Sequence, residues 1–344
     1  MRAPRPGAVL LLSACLSGCE RDYPNPFPRP TVAATPGPNA AVMFTSDAWS
    51  ERPGAPRELF AVDEDGGSLT RLTSCNAGGS ACDNVEATNG RDRTRVALRR
   101  VSRDGDGDGR LTAADGEELV YVDLGRRIEG ILASAATRVT GLDWSPIQDV
   151  IVYSAFSAGD REDLFIMESN GAQNSPLTNT PAISERRPRI DPFGSLVVFE
   201  RIDASAMGTI WIFVDTRSQV PVTEGGTPGE PLAGTPYRVG SDADPDFSPD
   251  RRSLVFRRLT GIGGGGRGSW DLLTVRTDGS ELRVIASGPR YRGPPDWGPR
   301  GIVFEERDEA DSPSLLLVSP DGSGRRTLAT LSAGFVLSFP RWLQ

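Results

Sequence analysis

The chain has 344 residues, a formal net charge of -8 and no histidine. The acidic balance argues against a nucleic-acid partner, for which a basic face is expected. Without histidine there is no Ser-His-Asp triad, no histidine general base and no histidine metal centre. All basic residues are arginine, which reads as a compositional bias and not as phosphate recognition. The length allows one large all-β domain or two ordinary ones, and internal repeats must decide between them.

The N-terminus carries Met1, Arg2 and Arg5, then the apolar run Ala8 to Leu12, then Leu16-Ser17-Gly18-Cys19. This is the architecture of a short secretory signal, residues 1–18, too short to span a bilayer. Leu-Ser-Gly-Cys resembles the lipobox of bacterial lipoproteins, and the resemblance implies cleavage before Cys19 and acylation of that residue. The expectation is an exported protein, lipid-anchored to a bacterial membrane and facing the periplasm or the cell exterior. The next residues, up to Pro38, are rich in proline and poor in apolar side chains. They predict an extended, semi-rigid tether of about 3 Å per residue.

From Ala40 onward a unit recurs: a Pro/Asp-aromatic-Ser/Gly-Pro opening, a β-rich run, a second run and a polar turn. The clearest copy is Ala243 to Arg258 followed by Ser269 to Ser287. Leu142 to Ser154 with Asp163 to Thr178, Pro188 to Arg201 with Thr209 to Thr223, and Pro294 to Arg307 with Ser314 to Thr330 follow the same plan. Asp278-Gly279 and Asp321-Gly322 supply hairpin turns. The aromatics Trp144, Phe193, Phe247, Trp297 and Trp342 recur at one repeat position, which predicts core between repeats. Two units are less regular. Asp83 to Ser134 carries an insertion, and Ala40 to Thr73 lacks an opening strand that Phe335 to Gln344 supplies. Four strands per unit and six units predict an all-β, six-bladed β-propeller over residues 39–344, its ring closed by the C-terminal strand completing the first blade. The repeat resembles the WD40-like propeller repeats of the TolB family over almost everything from Ala40 onward. In that family an α/β domain precedes the propeller; here the expectation is a lipid anchor in its place.

Inside the second unit, Asp104 to Asp115 reads DGDGDGRLTAAD, which matches the twelve-residue calcium loop. Asp104, Asp106 and Asp108 would give side-chain oxygens, Arg110 its carbonyl, Thr112 a hydroxyl or bound water, and Asp115 the closing carboxylate, with Glu117 or Glu118 assisting. Gly109 permits the sharp bend. Strands flank the loop, so the expected role of Ca2+ is a static clip. Cys75 and Cys82, in a Gly-rich loop of an exported chain, predict a disulfide.

Asp242 and Asp244, expected just ahead of an innermost strand, together with Arg187 and Arg292 near the starts of others, predict a mixed-charge channel mouth, with Arg186 and Arg290 beside it. The favoured function is a monomeric, non-enzymatic binding scaffold for an envelope protein or peptide, with glycan as the other ligand class. The alternative is a carbohydrate-active hydrolase working through channel carboxylates.

Overall fold

A computed structural model describes residues 35–343, apart from 51–52, 76–80, 91, 135–136, 158–160, 215–217 and 264–266. The signal, Cys19 and most of the tether lie outside the described residues. Those described form six four-stranded antiparallel sheets. Blade 2 consists of β4 (Asp83–Asn89), β5 (Arg95–Val101), β6 (Glu118–Asp123) and β7 (Ile128–Ala133); blade 3 of β8 (Val139–Trp144), β9 (Val150–Phe156), β10 (Glu162–Glu168) and β11 (Ser175–Pro176). Blade 4 contains β12 (Ser184–Ile190), β13 (Val197–Ile202), β14 (Gly208–Phe213) and β15 (Gln219–Pro221). Blade 5 contains β16 (Asp242–Phe247), β17 (Ser253–Ile262), β18 (Gly268–Arg276) and β19 (Arg283–Ala286). Blade 6 contains β20 (Asp296–Gly298), β21 (Gly301–Arg307), β22 (Pro313–Val318) and β23 (Arg326–Thr330).

Blade 1 is built from both ends of the domain. β24 (Leu337–Trp342) is its inner strand and pairs with β1 (Ala40–Ser46), which is followed outward by β2 (Glu58–Asp63) and β3 (Thr70–Arg71). Val42 faces Trp342, and Leu343 N–H donates to the Ala41 carbonyl at 2.8 Å. The predicted closure is therefore present: β24 completes blade 1, and in each of the six described sheets the inner strand is an edge that faces the axis.

The second strand of each later blade reads as an apolar run because neighbouring blades cover both of its faces. Leu254-Val255-Phe256 and Ile302-Val303-Phe304 are completely buried. Packing is blade on blade: one cluster joins Val42, Phe44 and Phe60 of blade 1 to Val303, Leu315 and Leu317 of blade 6, and the others repeat that arrangement around the ring. Each such Phe contributes roughly 1.5–3 kcal/mol of burial. Gly279 and Gly322, both at φ 85°, make the two outer hairpin turns that an L side chain would strain.

Of the repeat aromatics, Trp144, Phe247 and Trp342 are buried between blades and Trp297 is half-buried. Phe193 is a correction. It is 54% exposed, at the turn after the inner strand, with the Arg251 guanidinium 5.1 Å from its ring. Ile190 holds the inter-blade position in blade 4, because the aromatic of the Ile-Asp-Pro-Phe run falls beyond the strand.

Two tryptophans demand glycine in the blade before them. A Cβ on Gly298 would overlap the Trp342 ring, and one on Gly90 would meet Trp144 Cε2 at 2.7 Å. Gly298→Ala is expected to lower unfolding stability by about 1–3 kcal/mol, the usual penalty of overpacking. Adding Trp342→Leu to it should recover part of that loss; urea unfolding of both variants measures this.

Candidate functional site

The inner strands β4, β8, β12, β16, β20 and β24 line the axis. Irregularities of register interrupt five of them, falling between Asn84 and Glu86, Val139 and Gly141, Arg186 and Arg189, Ala243 and Asp246, and, on the β1–β24 pair, Met43 and Thr45. In three, the residue before a proline takes a left-handed conformation: Arg187 at φ 53°, Asp244 at φ 50° and Phe339 at φ 50°. Such bulges re-aim side chains. Here they meet: Arg187 Nε lies 3.5 Å from Asp244 Oδ1 and its guanidinium 5.1 Å from the Phe339 ring.

Glu86 on β4 is fully buried and faces four arginines, Arg187 at 3.0 Å, Arg99 at 3.3 Å, Arg341 at 3.3 Å and Arg189 at 3.4 Å. Burial opposes its ionisation, but the four guanidiniums overcome that and hold its carboxyl below the ordinary glutamate value. Asp244 has the same balance: burial is outweighed by Arg257 at 2.6 Å and by Arg187, leaving it at about 2. Glu200 goes the other way, pushed up to about 7 by burial, with the Asp244 charge adding to it; Tyr237 donates its hydroxyl to Glu200 at 2.9 Å.

Two layers along the axis emerge. Below the Glu86–Arg187–Asp244 layer, each inner strand presents one residue: Thr88, Asp143, Arg189, Asp246, Asp296 and Arg341. Four of these accept the backbone N–H of the neighbouring blade: Thr88 from Trp144 at 3.4 Å, Asp143 from Ile190 at 2.8 Å, Asp246 from Trp297 at 2.6 Å and Asp296 from Trp342 at 2.7 Å. Arginine cannot accept, so Arg189 and Arg341 instead reach across the axis to Glu86. This layer floors a cavity of about 270 Å3 that opens where the inner strands end. Phe247, Trp297 and Trp342 form its walls, and Pro146, Pro192, Pro249 and Pro299 its rim.

The predicted mouth residues have individual places. Arg187 and Asp244 come together in the axial layer. Asp242 is buried within β16 itself, not ahead of it, and pairs with Arg258 at 2.6 Å. Arg292 is buried and pairs with Glu306 at 2.9 Å. Arg186 is 3.6 Å from Glu200, and Arg290 is 3.3 Å from Glu306. None of Arg187, Asp242, Asp244 and Arg292 forms an exposed surface: the first three lie within β12 and β16, which begin ahead of their prolines, and Arg292 is buried in the segment before β20. Glu86 and the floor aspartates went unread, although Asp143, Asp246 and Asp296 each immediately precede a repeat aromatic.

The acidic insertion joins β5 to β6. Asp104, Asp106 and Asp108 offer carboxylate oxygens within 4.8 Å of one another, all exposed. Gly107 and Gly109, at φ 78° and 82°, let the loop curl. Asp115 takes a tying role: its carboxylate accepts Thr112 N–H and Gly105 N–H, both at 2.7 Å, and the more distant Asp106 N–H, which hold it below its ordinary value. Thr112 caps the 3-10 turn Ala113–Asp115, and Arg110 N–H donates to Asp108 at 2.8 Å. A hard cation prefers such a carboxylate set. Cys75 and Cys82 form a disulfide at the start of blade 2.

No protein-family model matches the chain, and no curated protein matches it. Solved structures do. TolB from Acinetobacter baumannii is similar at TM-score 0.66 and 15% identity, over 90% of this chain and 68% of that one. A putative TolB from Agrobacterium tumefaciens gives 0.58 and 15%, over 89% and 99%. A chain of a Nidogen/Laminin complex gives 0.61 and 9%, over 89% and 98%. The chain is thus a six-bladed β-propeller of the architecture seen in TolB.

Glu86→Gln leaves four buried guanidiniums without their shared anion. It is expected to destabilise by about 3–5 kcal/mol, the usual effect of removing one partner of a buried ion pair. Thermal unfolding followed by circular dichroism measures it.

Proposed function

We propose that this is an exported, lipid-anchored propeller that acts as a non-enzymatic binding scaffold for a protein or peptide of the cell envelope, stiffened by a structural Ca2+. The observation that carries this reading is the difference between the two faces of the ring. The chain enters β1 at the face where the inner strands end, and Arg93 there donates to the Pro38 carbonyl at 3.3 Å. A tether running from Cys19 reaches this face. The opposite face carries the disulfide loop before β4, the acidic loop between β5 and β6, and the long β15–β16 connection with its Pro231–Arg238 bridge. Long loops on a rigid frame are the usual place for recognition. Fully extended, the roughly 19 residues of tether span about 60 Å, enough to carry that face well clear of the lipid.

The pairing of Asp244 with Arg257, which holds its carboxyl at about 2, favours a scaffold over a hydrolase, because a carboxylate held ionised is a poor proton donor. Among the described residues no helix is long and apolar enough to cross a membrane. The proposed link to the bilayer is Cys19, on the strength of its lipobox-like setting Leu16-Ser17-Gly18-Cys19.

At roughly 5 mM calcium, a loop with the affinity usual for extracellular modules, Kd about 10⁻⁴–10⁻³ M, stabilises the fold by about 1–2 kcal/mol. Calcium is therefore expected to raise the Tm of the wild type by a few degrees and leave Asp104→Asn/Asp106→Asn unchanged; scanning calorimetry decides. Affinity capture from detergent-solubilised envelope, with calcium and with chelator, is expected to recover one defined protein. Recovery of none, with binding on a glycan array instead, would overturn the protein-partner reading.

A further inference from the structure

The axial cavity lies on the face opposite the loops and has chemistry of its own. Its floor carries three aspartates, and nearly every oxygen among them is engaged. Asp143 accepts Thr88 Oγ1–H at 3.1 Å and Ile190 N–H, and Asp296 accepts Arg341 at 2.9 Å and Trp342 N–H. Asp246 differs. Its Oδ2 takes the Trp297 N–H at 2.6 Å, and its Oδ1 has no hydrogen-bond partner among the described residues although the residue is only 9% exposed.

The charges around that oxygen do not balance. The floor faces Asp246 with Asp296 from β20, Arg341 from β24, Asp143 from β8, Arg189 from β12 and the neutral Thr88 from β4. Both guanidiniums are shared with Glu86, and Arg189 also donates to the Leu142 and Pro188 carbonyls, each at 3.0 Å. Negative charge is left over at the cavity. Burial, with Asp296 adding to it, holds the Asp246 carboxyl well above the ordinary range, which is the direction expected of a buried carboxylate with no cation of its own. Both floor guanidiniums are already engaged through their terminal nitrogens, Arg189 keeping only its Nε unpartnered, so an anion would have to compete with Glu86 and Asp296 for them. A hard metal ion needs six to eight oxygens, and this cavity offers one unused carboxylate oxygen between aromatic walls.

We propose that this cavity binds a guanidinium or ammonium group carried on a slender apolar stem, the cation meeting Asp246 Oδ1 and the stem lying against Trp297 and Phe247. Aromatic faces attract such cations, and methylene stems pack on apolar walls. At about 270 Å3 the space suits a single side-chain-sized group. The same chemistry is offered by a free alkylamine and by an arginine or lysine of a polypeptide. This site is independent of the envelope-scaffold reading, which concerns the other face.

The test is isothermal titration of the purified full-length chain in detergent with n-butylguanidinium, with a blocked Ala-Arg-Ala peptide and with neutral n-pentanol. Both cations are expected to bind saturably, more tightly as pH rises and Asp246 loses its proton, and pentanol not at all. Asp246→Asn should weaken binding at least about ten-fold while the melting transition stays cooperative. If that variant does not fold, Pro249→Lys, which places an ammonium on the exposed rim, should weaken binding several-fold. A peptide binding ten-fold tighter than butylguanidinium assigns the ligand to polypeptides; equal binding assigns it to small amines. Equal binding of pentanol, unchanged affinity in a folded Asp246→Asn, or no heat from either cation at about 10 mM overturns the proposal.

Discussion

Burying a charge is unfavourable unless it is paired, and a six-bladed ring has a narrow axis onto which every inner strand projects. This chain fills the axis with ions instead of apolar side chains. Glu86 is the common partner: strands β5, β12 and β24 each send it at least one guanidinium. Blades that are far apart in sequence are therefore tied to one buried carboxylate. The bulges at Arg187, Asp244 and Phe339, each just before a proline, follow from the same demand, since an uninterrupted strand would not turn those side chains onto the axis. Strained backbone there, of order 1–3 kcal/mol per residue, persists because the surrounding contacts over-determine it.

The repeat was legible because it rests on local chemistry. Asp-Gly turns and β-branched runs specify strands within a few residues of themselves, and the missing inner strand of blade 1 could be matched to Phe335–Gln344 by its Pro340-Arg341-Trp342 run. Strands flank the acidic loop as expected, at Arg95–Val101 and Glu118–Asp123. The axis was not legible in the same way. Whether Asp244 is a solvated loop residue or a buried ion partner depends on Arg257 and Arg187, which lie on other strands. Phe193 was misplaced because the spacing from proline to aromatic shifts in blade 4, and only the pairing of β12 with β13 reveals it.

The two faces of the ring differ in how they are built. Tight turns after the inner strands leave a ring of prolines around a small acidic cavity. The opposite face receives the long connections, one covalently cross-linked and one bearing three clustered carboxylates. A single rigid body can thus present two unlike surfaces without any hinge between them.

The pairing of β1 with β24 joins residues almost the whole domain apart, as Val42 opposite Trp342 illustrates. Blades 2 to 6 are each continuous in the chain, so their hairpins can assemble from neighbouring segments. Blade 1 cannot: until β24 arrives it is a three-stranded sheet with an open inner edge. Closure of the ring is then the last event of folding, governed by the slow search of a distant strand for its place. Until that moment the nascent protein is exposed to strand-pairing with its neighbours, and a chain cut short by a few residues would remain so permanently.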